Sequence, residues 1–452
     1  MPRFEFKEGT SSKFWEITKD DDVLITRWGR IGAEGQEKKQ KFKNSYDARN
    51  AYQKQMLEKL EKGYKRIKPK NTGPVPRSNP ELEAAILKDP DNVDGYLVYG
   101  DWLQAQGDPR GELIALQHAL LGAKGSAATT LKKKIKDYIG KHEDLLLGTV
   151  LAPMRLDETL SYQWHLGFLR SARVKAPDWG EDPEFEVPEV VALLLAHPSA
   201  RFIQELTIGL PSNDGDTDYN DVIKAIAKAA PKALRSLFIG DFRYPDETEI
   251  SWSKLGKVAL LYPAVPQLRS LRLRGGELNL GKVDLPELRE FIVESGGLQR
   301  STVKSIAAAS WPKLERLEVW FGSEDYGAGG DEDDIQSILD GKGLPELKHL
   351  GLCNAGFSKG LARVLPKSKV LPRLETLDLS KGTLMDEDAE VLAANAAAFK
   401  HLKRLDLSEN LLTSKGVKLV AKLCPDVARG NQRDMDDFDE DEDGRRYVAV
   451  GE

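Results

Sequence analysis

The sequence predicts an α/β chain: a small N-terminal α+β module, a short helical region, then a strand-plus-helix repeat array of about eight units and a disordered acidic tail. Three observations predict it. A frame of the form LxxLxL recurs from Ile203 to Leu407, a proline-rich stretch isolates the first 70 residues, and the charge changes sign across that stretch. Residues 1–70 carry 18 Lys+Arg against 11 Asp+Glu, and the rest carries 48 against 61, so the net charge of -6 hides a basic end and an acidic body. At 452 residues the chain is too long for one compact core, which favours several domains or an extended array.

In the first segment Lys13 to Thr18 and Asp22 to Ile31 are β-prone runs, Gly32 to Gln36 supplies turn chemistry, and Ala48 to Leu60 has helical spacing. Pro69, Pro74, Pro76 and Pro80, with Gly73, sustain neither a helix nor an inner strand, so residues 71–79 read as a linker after a module at 1–70. From Pro80 the apolar residues fall at helical spacing: Leu82, Ala85, Ile86, then Tyr96, Tyr99, Trp102, Leu103, then Leu113, Leu116, Leu120. Asp91 or Asn92, and Asp108, stand where helix caps belong. The segments Ala84 to Gln117 and Trp164 to Val174 resemble the repeat-companion domain that precedes leucine-rich repeats in some bacterial proteins, and residues 80–175 are assigned to a helical region of that kind. The resemblance implies repeats downstream.

The repeats are visible without it. The frames are Ile203, Leu206, Ile208; Leu234, Leu237, Ile239; Leu268, Leu271, Leu273; Leu288, Phe291, Val293; Leu314, Leu317, Val319; Leu347, Leu350, Leu352; Leu374, Leu377, Leu379; and Leu402, Leu405, Leu407. Their starts lie 31, 34, 20, 26, 33, 27 and 28 residues apart, near the period of a leucine-rich-repeat solenoid, here placed at 176–428. Helical stretches are expected between frames at Tyr219–Ala230, Thr302–Ser310, Asp386–Phe399 and Ser414–Leu423. A single unit leaves its apolar layer open at both ends, so stacking and end caps are required. The region before Ile203 and the segment Leu419 to Ala428 are the candidate caps. In the tail, 429–452, eight of the ten residues from Asp434 to Asp443 are acidic, too charged to pack. It reads as a solvated tail or as an internal mimic of nucleic acid competing for the basic module. Tyr447 to Val450 is a brief apolar patch that either docks as a strand or stays loose.

Trp28, Gly29, Arg30, Ile31, Gly32, Ala33, Glu34, Gly35 and Gln36 reproduce the core motif of the WGR domain, and the resemblance runs from Lys13, Phe14 and Trp15 to Gly63, Tyr64, Lys65 and Arg66. In DNA-dependent poly(ADP-ribose) polymerases such domains recognise DNA strand breaks through the motif tryptophan and arginine, with basic neighbours on phosphate. The resemblance implies those roles for Trp28 and Arg30. The chemistry is apt, because an indole stacks on an exposed base and a guanidinium forks onto phosphate oxygens, while Gly29 and Gly32 permit close backbone approach. Lys38, Lys39, Lys41 and Lys43 on the following strand, with Lys62, Tyr64, Lys65, Arg66, Lys68 and Lys70 after the helix, form a candidate phosphate-tracking surface. The competing reading makes Trp28 a core or hairpin-packing residue and pairs Arg30 with Glu34 or Glu16. Asp20, Asp21 and Asp22 beside the motif strand count against an anion.

A second candidate surface is the solenoid's concave face, where Phe238, Arg272, Arg274, Arg316, Trp320 and His349 alternate with the buried leucines and are read as anchors for a protein partner. The competing reading tucks Trp320 into a neighbouring loop and pairs the charges along the sheet.

No catalytic constellation is found. The six histidines are scattered, without HExxH or a nucleophile elbow, and Cys353 and His349, four residues apart along one strand, are too distant for direct proton transfer. The acidic run lacks the alternating ligands and central glycine of a calcium loop. No metal, cofactor or catalytic residue is expected. Two cysteines, Cys353 and Cys424, exclude a disulfide framework and suit the cytoplasm; no export signal or membrane span is read. The expectation is a non-catalytic bacterial-type adaptor whose first module engages nucleic-acid ends or backbone, DNA strand ends or breaks being the candidate, and whose repeats recruit a protein. The alternatives are a protein scaffold without nucleic-acid binding and a non-catalytic subunit of a multi-chain enzyme.

Overall fold

The computed structural model describes residues 3–20, 22–67, 77–155, 158–177, 185–212, 217–434 and 446–451. Most of the expected linker, Asp21, Lys68 and Lys70, and most of the acidic run lie outside these.

The N-terminal unit is an antiparallel sheet of β1 (Arg3–Glu8), β2 (Ser11–Asp20), β3 (Val23–Arg30), β4 (Gln36–Lys41) and β5 (Lys65–Ile67), in spatial order β4-β3-β2-β1-β5, with helix α1 (Ser45–Glu61) against one face. Helix α1 starts where the Asn44 side chain accepts the Asp47 N–H. It buries Tyr52 and Met56 against Phe4, Trp15, Ile17 and Leu24. Strand β1, a six-residue alternation of charge with phenylalanine, and the three-residue edge strand β5 complete the sheet beyond the runs expected from the sequence.

Four helices follow, α2 (Pro80–Lys88), α3 (Val93–Ala105), α4 (Pro109–Leu121) and α5 (Gly125–Lys141), then two single turns, α6 (Glu143–Leu146) and α7 (Gly148–Leu151). The side chain of Asn92 caps α3 and that of Asp108 caps α4, Asp108 also holding the buried Arg110 guanidinium at 2.9 Å. The segment Trp164–Val174, assigned with the helices from sequence, is instead a hairpin of β6 (Leu160–His165) and β7 (Phe168–Val174). Its turn places Leu166 and Gly167 at positive φ, and a Cβ on Gly167 would stand 2.6 Å from Ile114. The turn is thus fixed by close approach to α4, a long-range contact invisible to local periodicity. Phe168 stacks on Tyr99 at 5.8 Å, tying helices to hairpin.

From β7 onward the chain builds one long sheet. Its strands are β8 (Glu205–Ile208), β10 (Ser236–Ile239), β12 (Ser270–Arg274), β14 (Glu290–Glu294), β15 (Arg316–Gly322), β16 (His349–Ala355), β17 (Thr376–Asp378), β18 (Arg404–Asp406) and β19 (Asp426–Ala428), each parallel to its neighbours. The frame residues are at most 2% exposed and share one continuous core from Leu147 to Val427. Each strand of the sheet is covered by the next, so truncating one leucine is felt on both sides. The outer layer holds α8 (Val187–Ala196), α9 (Asn220–Ala229), α10 (Arg300–Ala307), α11 (Gln336–Leu339), α12 (Ser358–Val364), α13 (Asp386–Ala394) and α14 (Ser414–Val420). It is not helical throughout. A second parallel sheet of β9 (Thr217–Asp218), β11 (Ser253–Lys257) and β13 (Gly276–Asn279) forms part of it, and the 20 residues separating the frames at Leu268 and Leu288 hold β13 and no helix.

The patch at Tyr447 to Val450 docks, though not as a sheet strand. Val448 and Val450 are buried, and Val450 joins Phe242 and Ile250 in a small apolar cluster.

His197 closes α8, and its Nδ1 accepts the Ser199 N–H at 3.2 Å. Burial, with the Arg110 guanidinium nearby, pushes its pKa down to about 4. The fold therefore favours neutral His197. Its contribution, roughly 3 kcal/mol, is complete above the unfolded value of about 6.5 and is lost as pH falls from there through about 4. Urea midpoints of the wild-type chain should fall over that window, and His197→Asn, which keeps an acceptor for Ser199, should flatten the fall. Equal slopes would show that this histidine does not carry it.

Candidate nucleic-acid interface

Side chains alternate across an antiparallel sheet, so register decides which residues share a face. Gln36, Trp28, Trp15, Phe4 and Arg66 are successive partners across β4, β3, β2, β1 and β5. Helix α1 buries the middle of this row, leaving Trp15 4% and Phe4 1% exposed. Trp28, one strand outward, is 37% exposed, so its ring is not part of the core. Arg30 pairs with Lys13 in the next row of that face, and Lys38 pairs with Thr26 in the row on the other side. Arg30 is exposed and has no ion pair among the described residues. Neither carboxylate suggested for it is paired with it: Glu16 binds Arg3 at 2.8 Å and Arg27 at 3.7 Å, and Glu34 engages Arg27 through its backbone carbonyl, which accepts the Nε–H at 2.7 Å.

Lys59, in the last turn of α1, sets its ammonium 5.2 Å from the Trp15 ring and 5.0 Å from the Tyr64 ring. Its pKa is lowered by burial first, then by the charges of Lys62 and Lys13, which identifies Lys13, Lys59 and Lys62 as one cluster of like charge. Lys13 and Lys59 were not picked out as site residues from sequence; the signal available was that Lys59 lies three residues, one helical turn, before Lys62.

The expected basic surface is divided. Lys39 and Lys41 pair in register with Ile25 and Val23, on the face opposite Trp28, where Lys39 meets Glu37 at 3.8 Å and Lys41 meets Asp22 at 3.2 Å. Lys65 lies opposite Glu5 on that same far face, in β5, three strands from β3 or about 14 Å. Arg66 keeps to the row of Trp28 at that distance. Lys62 is exposed beside Glu58 at 3.9 Å, and Tyr64 is half-buried against Phe6 at 5.4 Å, so it is a packing residue. Strand parity, not lysine density, thus selects Lys38 and excludes Lys39 and Lys41. The motif glycines act inside the hairpin. A Cβ on Gly29 would stand 2.9 Å from Gly35 Cα, and one on Gly35, at φ +79°, would stand 2.6 Å from Phe14 Cζ. The space expected for a ligand beside Gly29 is filled.

On the long sheet the expected protein anchors are satisfied within the chain. The Arg272 guanidinium lies 4.5 Å over the half-buried Phe238 ring, and Arg272 and Arg274 both bind the buried Glu294, at 2.6 and 2.5 Å. Arg316 binds Glu318 at 2.6 Å, and Glu318 accepts the Trp320 Nε1–H at 3.0 Å while Lys381 stands 5.4 Å over the Trp320 ring. His349 Nδ1 is 2.7 Å from Thr376 Oγ1. Phe238, Arg272, Arg274, Trp320 and His349 are thus engaged within the chain, while Arg316 stays exposed beside Glu318: opposite charges stand one strand apart or two residues along one strand, and pairing them offsets their desolvation. A cleft of about 280 Å³ remains over Gly351, lined by Glu318, His349, Asp378, Arg404 and Asp406. Burial, then Asp406 and Glu318, raises the Asp378 carboxyl above its ordinary value. Cys353 is buried, and burial pushes its thiol well above the ordinary thiol range. Among the described residues no group of three ligating side chains could hold a metal, and no helix is long and apolar enough to cross a membrane.

Residues 2–71 match the WGR domain family. No curated protein sequence matches the chain. Among solved structures it is similar to a protein of Bacteroides fragilis, with 22% identity, 100% of this chain and 99% of that one covered, and a TM-score of 0.55, which is a likeness of fold. Over 52% of its length it aligns with 56% of an internalin of Listeria monocytogenes, at 16% identity and a TM-score of 0.29.

Because Gly35 is both left-handed and in contact, Gly35→Ala should destabilise the N-terminal sheet by more than about 1 kcal/mol, read as faster hydrogen exchange of β2 and β3 amides in the full chain. Gly32→Ala meets nothing within 4 Å and should carry only the strain of its φ of +92°. Equal effects would contradict the hairpin role.

Proposed function

We propose that this chain is a non-catalytic adaptor whose WGR unit contacts nucleic-acid ends or backbone and whose leucine-rich-repeat solenoid, residues 176–428, recruits a protein partner. The observation that carries the nucleic-acid half is one sheet face on which an exposed indole, Trp28, stands beside an unpaired guanidinium, Arg30, with Lys13 and Lys38 in the flanking rows. The ring would stack on an exposed base, the guanidinium would fork onto phosphate, and the lysines, with Lys59 and Lys62, would follow the backbone. The WGR resemblance supports strand ends as the ligand. The regular sheet and its leucine frames support a repeat scaffold, and two unlinked cysteines support a reducing, cytoplasmic setting in a bacterial cell. The alternative, a scaffold without nucleic-acid binding, draws support from the dispersal of Lys39, Lys41 and Lys65 to the far face.

The test is binding of the full chain to short duplexes with a nick or a phosphorylated end. Affinity should fall with salt at about 0.9 log units per log unit of salt for each phosphate neutralised. Trp28→Ala should weaken it by about 1–3 kcal/mol, or about 5- to 150-fold, and Arg30→Ala should weaken it and lower the salt slope. Lys39→Ala and Lys41→Ala should change it by less than about threefold, since those charges sit behind the sheet in reach of screening ions. No binding at low salt would remove the nucleic-acid half and leave the scaffold.

A further inference from the structure

The segment Arg446–Gly451 crosses the rim of the long sheet where β15, β16 and β17 end, and its hold is specific. The Ala449 N–H donates to the Lys381 carbonyl at 2.9 Å. The Val450 N–H donates to Asn354 Oδ1 at 2.9 Å, while Asn354 Nδ2 donates to the Val450 carbonyl at 2.5 Å. Arg433 donates to the Tyr447 carbonyl at 2.8 Å, and Arg446 binds Glu387 at 2.7 Å. Val448 and Val450 are 7% and 4% exposed, Val450 clustering with Phe242 and Ile250 beside Trp320.

Asn354 is the centre of this arrangement. It is wholly buried, adopts a left-handed φ of 53°, and is held by its own N–H on the Ser380 carbonyl at 2.9 Å. Its amide reads the N–H and the C=O of a single residue, which is recognition of backbone irrespective of side chain, and the buried Val448 and Val450 stand on either side of a bend at Ala449. Empty, the groove would open the Asn354 amide and the apolar ground around Phe242 and Ile250 to water, and a peptide that covers that ground regains the lost apolar burial. The segment contributes no strand or helix of its own, so it can leave without removing an element from the core that builds the groove.

We propose that this rim groove is a docking site for a short peptide bearing apolar residues on either side of a one-residue bend, and that residues 446–451 occupy it in cis and so compete with a partner. This surface adjoins the concave face at Trp320 and is independent of the nucleic-acid reading. A tethered occupant lowers the fraction of chains open to a partner and weakens apparent affinity by that fraction.

The experiment uses the full chain and a fluorescent peptide with the sequence of residues 446–451. Val450→Asp should unseat the cis segment, and the peptide should then bind at least about tenfold tighter than to wild type. Asn354→Ala in the same background should abolish that gain. Equal binding to wild type and Val450→Asp, or none to a Val450→Asp chain with native circular dichroism, overturns the proposal. Should Val450→Asp fail to fold, hydrogen exchange of the wild-type chain decides. The Ala449 and Val450 amides should exchange well before those of Leu350 and Leu352, and equal protection would make the segment a fixed brace and overturn the proposal.

Discussion

A parallel strand with apolar residues on its inner face leaves unsatisfied surface toward both neighbours, and the rest of the long sheet follows from covering it. Leu317, Leu350, Leu377 and Leu405 succeed one another in register, each closing the layer opened by the last. The row ends at a hairpin, β6 and β7, on one side and at the three-residue β19 on the other, where few backbone groups are left at the edge. The outer layer is free to vary because it need only cover, and it does so with helices, 3₁₀ turns and a small second sheet.

The same stacking governs the charges. Where strands lie parallel and about 4.8 Å apart, residues at equivalent positions face each other, and a carboxylate there meets the arginine of its neighbour. Glu294 gathers Arg272 and Arg274, and Arg404 reaches both Asp406 and Asp426. A face that reads in sequence as a varied set of sticky side chains is in the fold largely a set of closed pairs. What stays open is the Gly351 cleft, where a missing side chain interrupts the pairing, and the rim, where Asn354 offers its amide to a crossing chain.

In the N-terminal unit the two-residue period of a strand does the sorting. Lys38 and Lys39 are adjacent in sequence and on opposite faces in space, one with Trp28 and one with Glu37. Arg27 and Arg30 separate in the same way: Arg27 turns to Phe14, Glu16 and the Glu34 carbonyl and locks the hairpin, while Arg30 turns to solvent. Helix α1 ends early enough to expose the Trp28 ring and late enough to bring Lys59 over Trp15.

The sequence by itself determined the α/β class, the recurring leucine frames and the strand–turn–strand around the WGR motif, because these depend on spacing along the chain and spacing is local. It also held the division between a basic end and an acidic body, which is a matter of counting. Only the tertiary structure decided that Trp164 to Val174 is a hairpin, since the turn at Gly167 is set by contact with Ile114 on α4. Only it decided that Phe238, Arg272 and Trp320 are occupied within the chain, and that Val450 meets Asn354 across 96 residues. Those outcomes rest on which side chains share a face or a rim after strands from distant parts of the chain are stacked, and no periodicity within one segment contains that information.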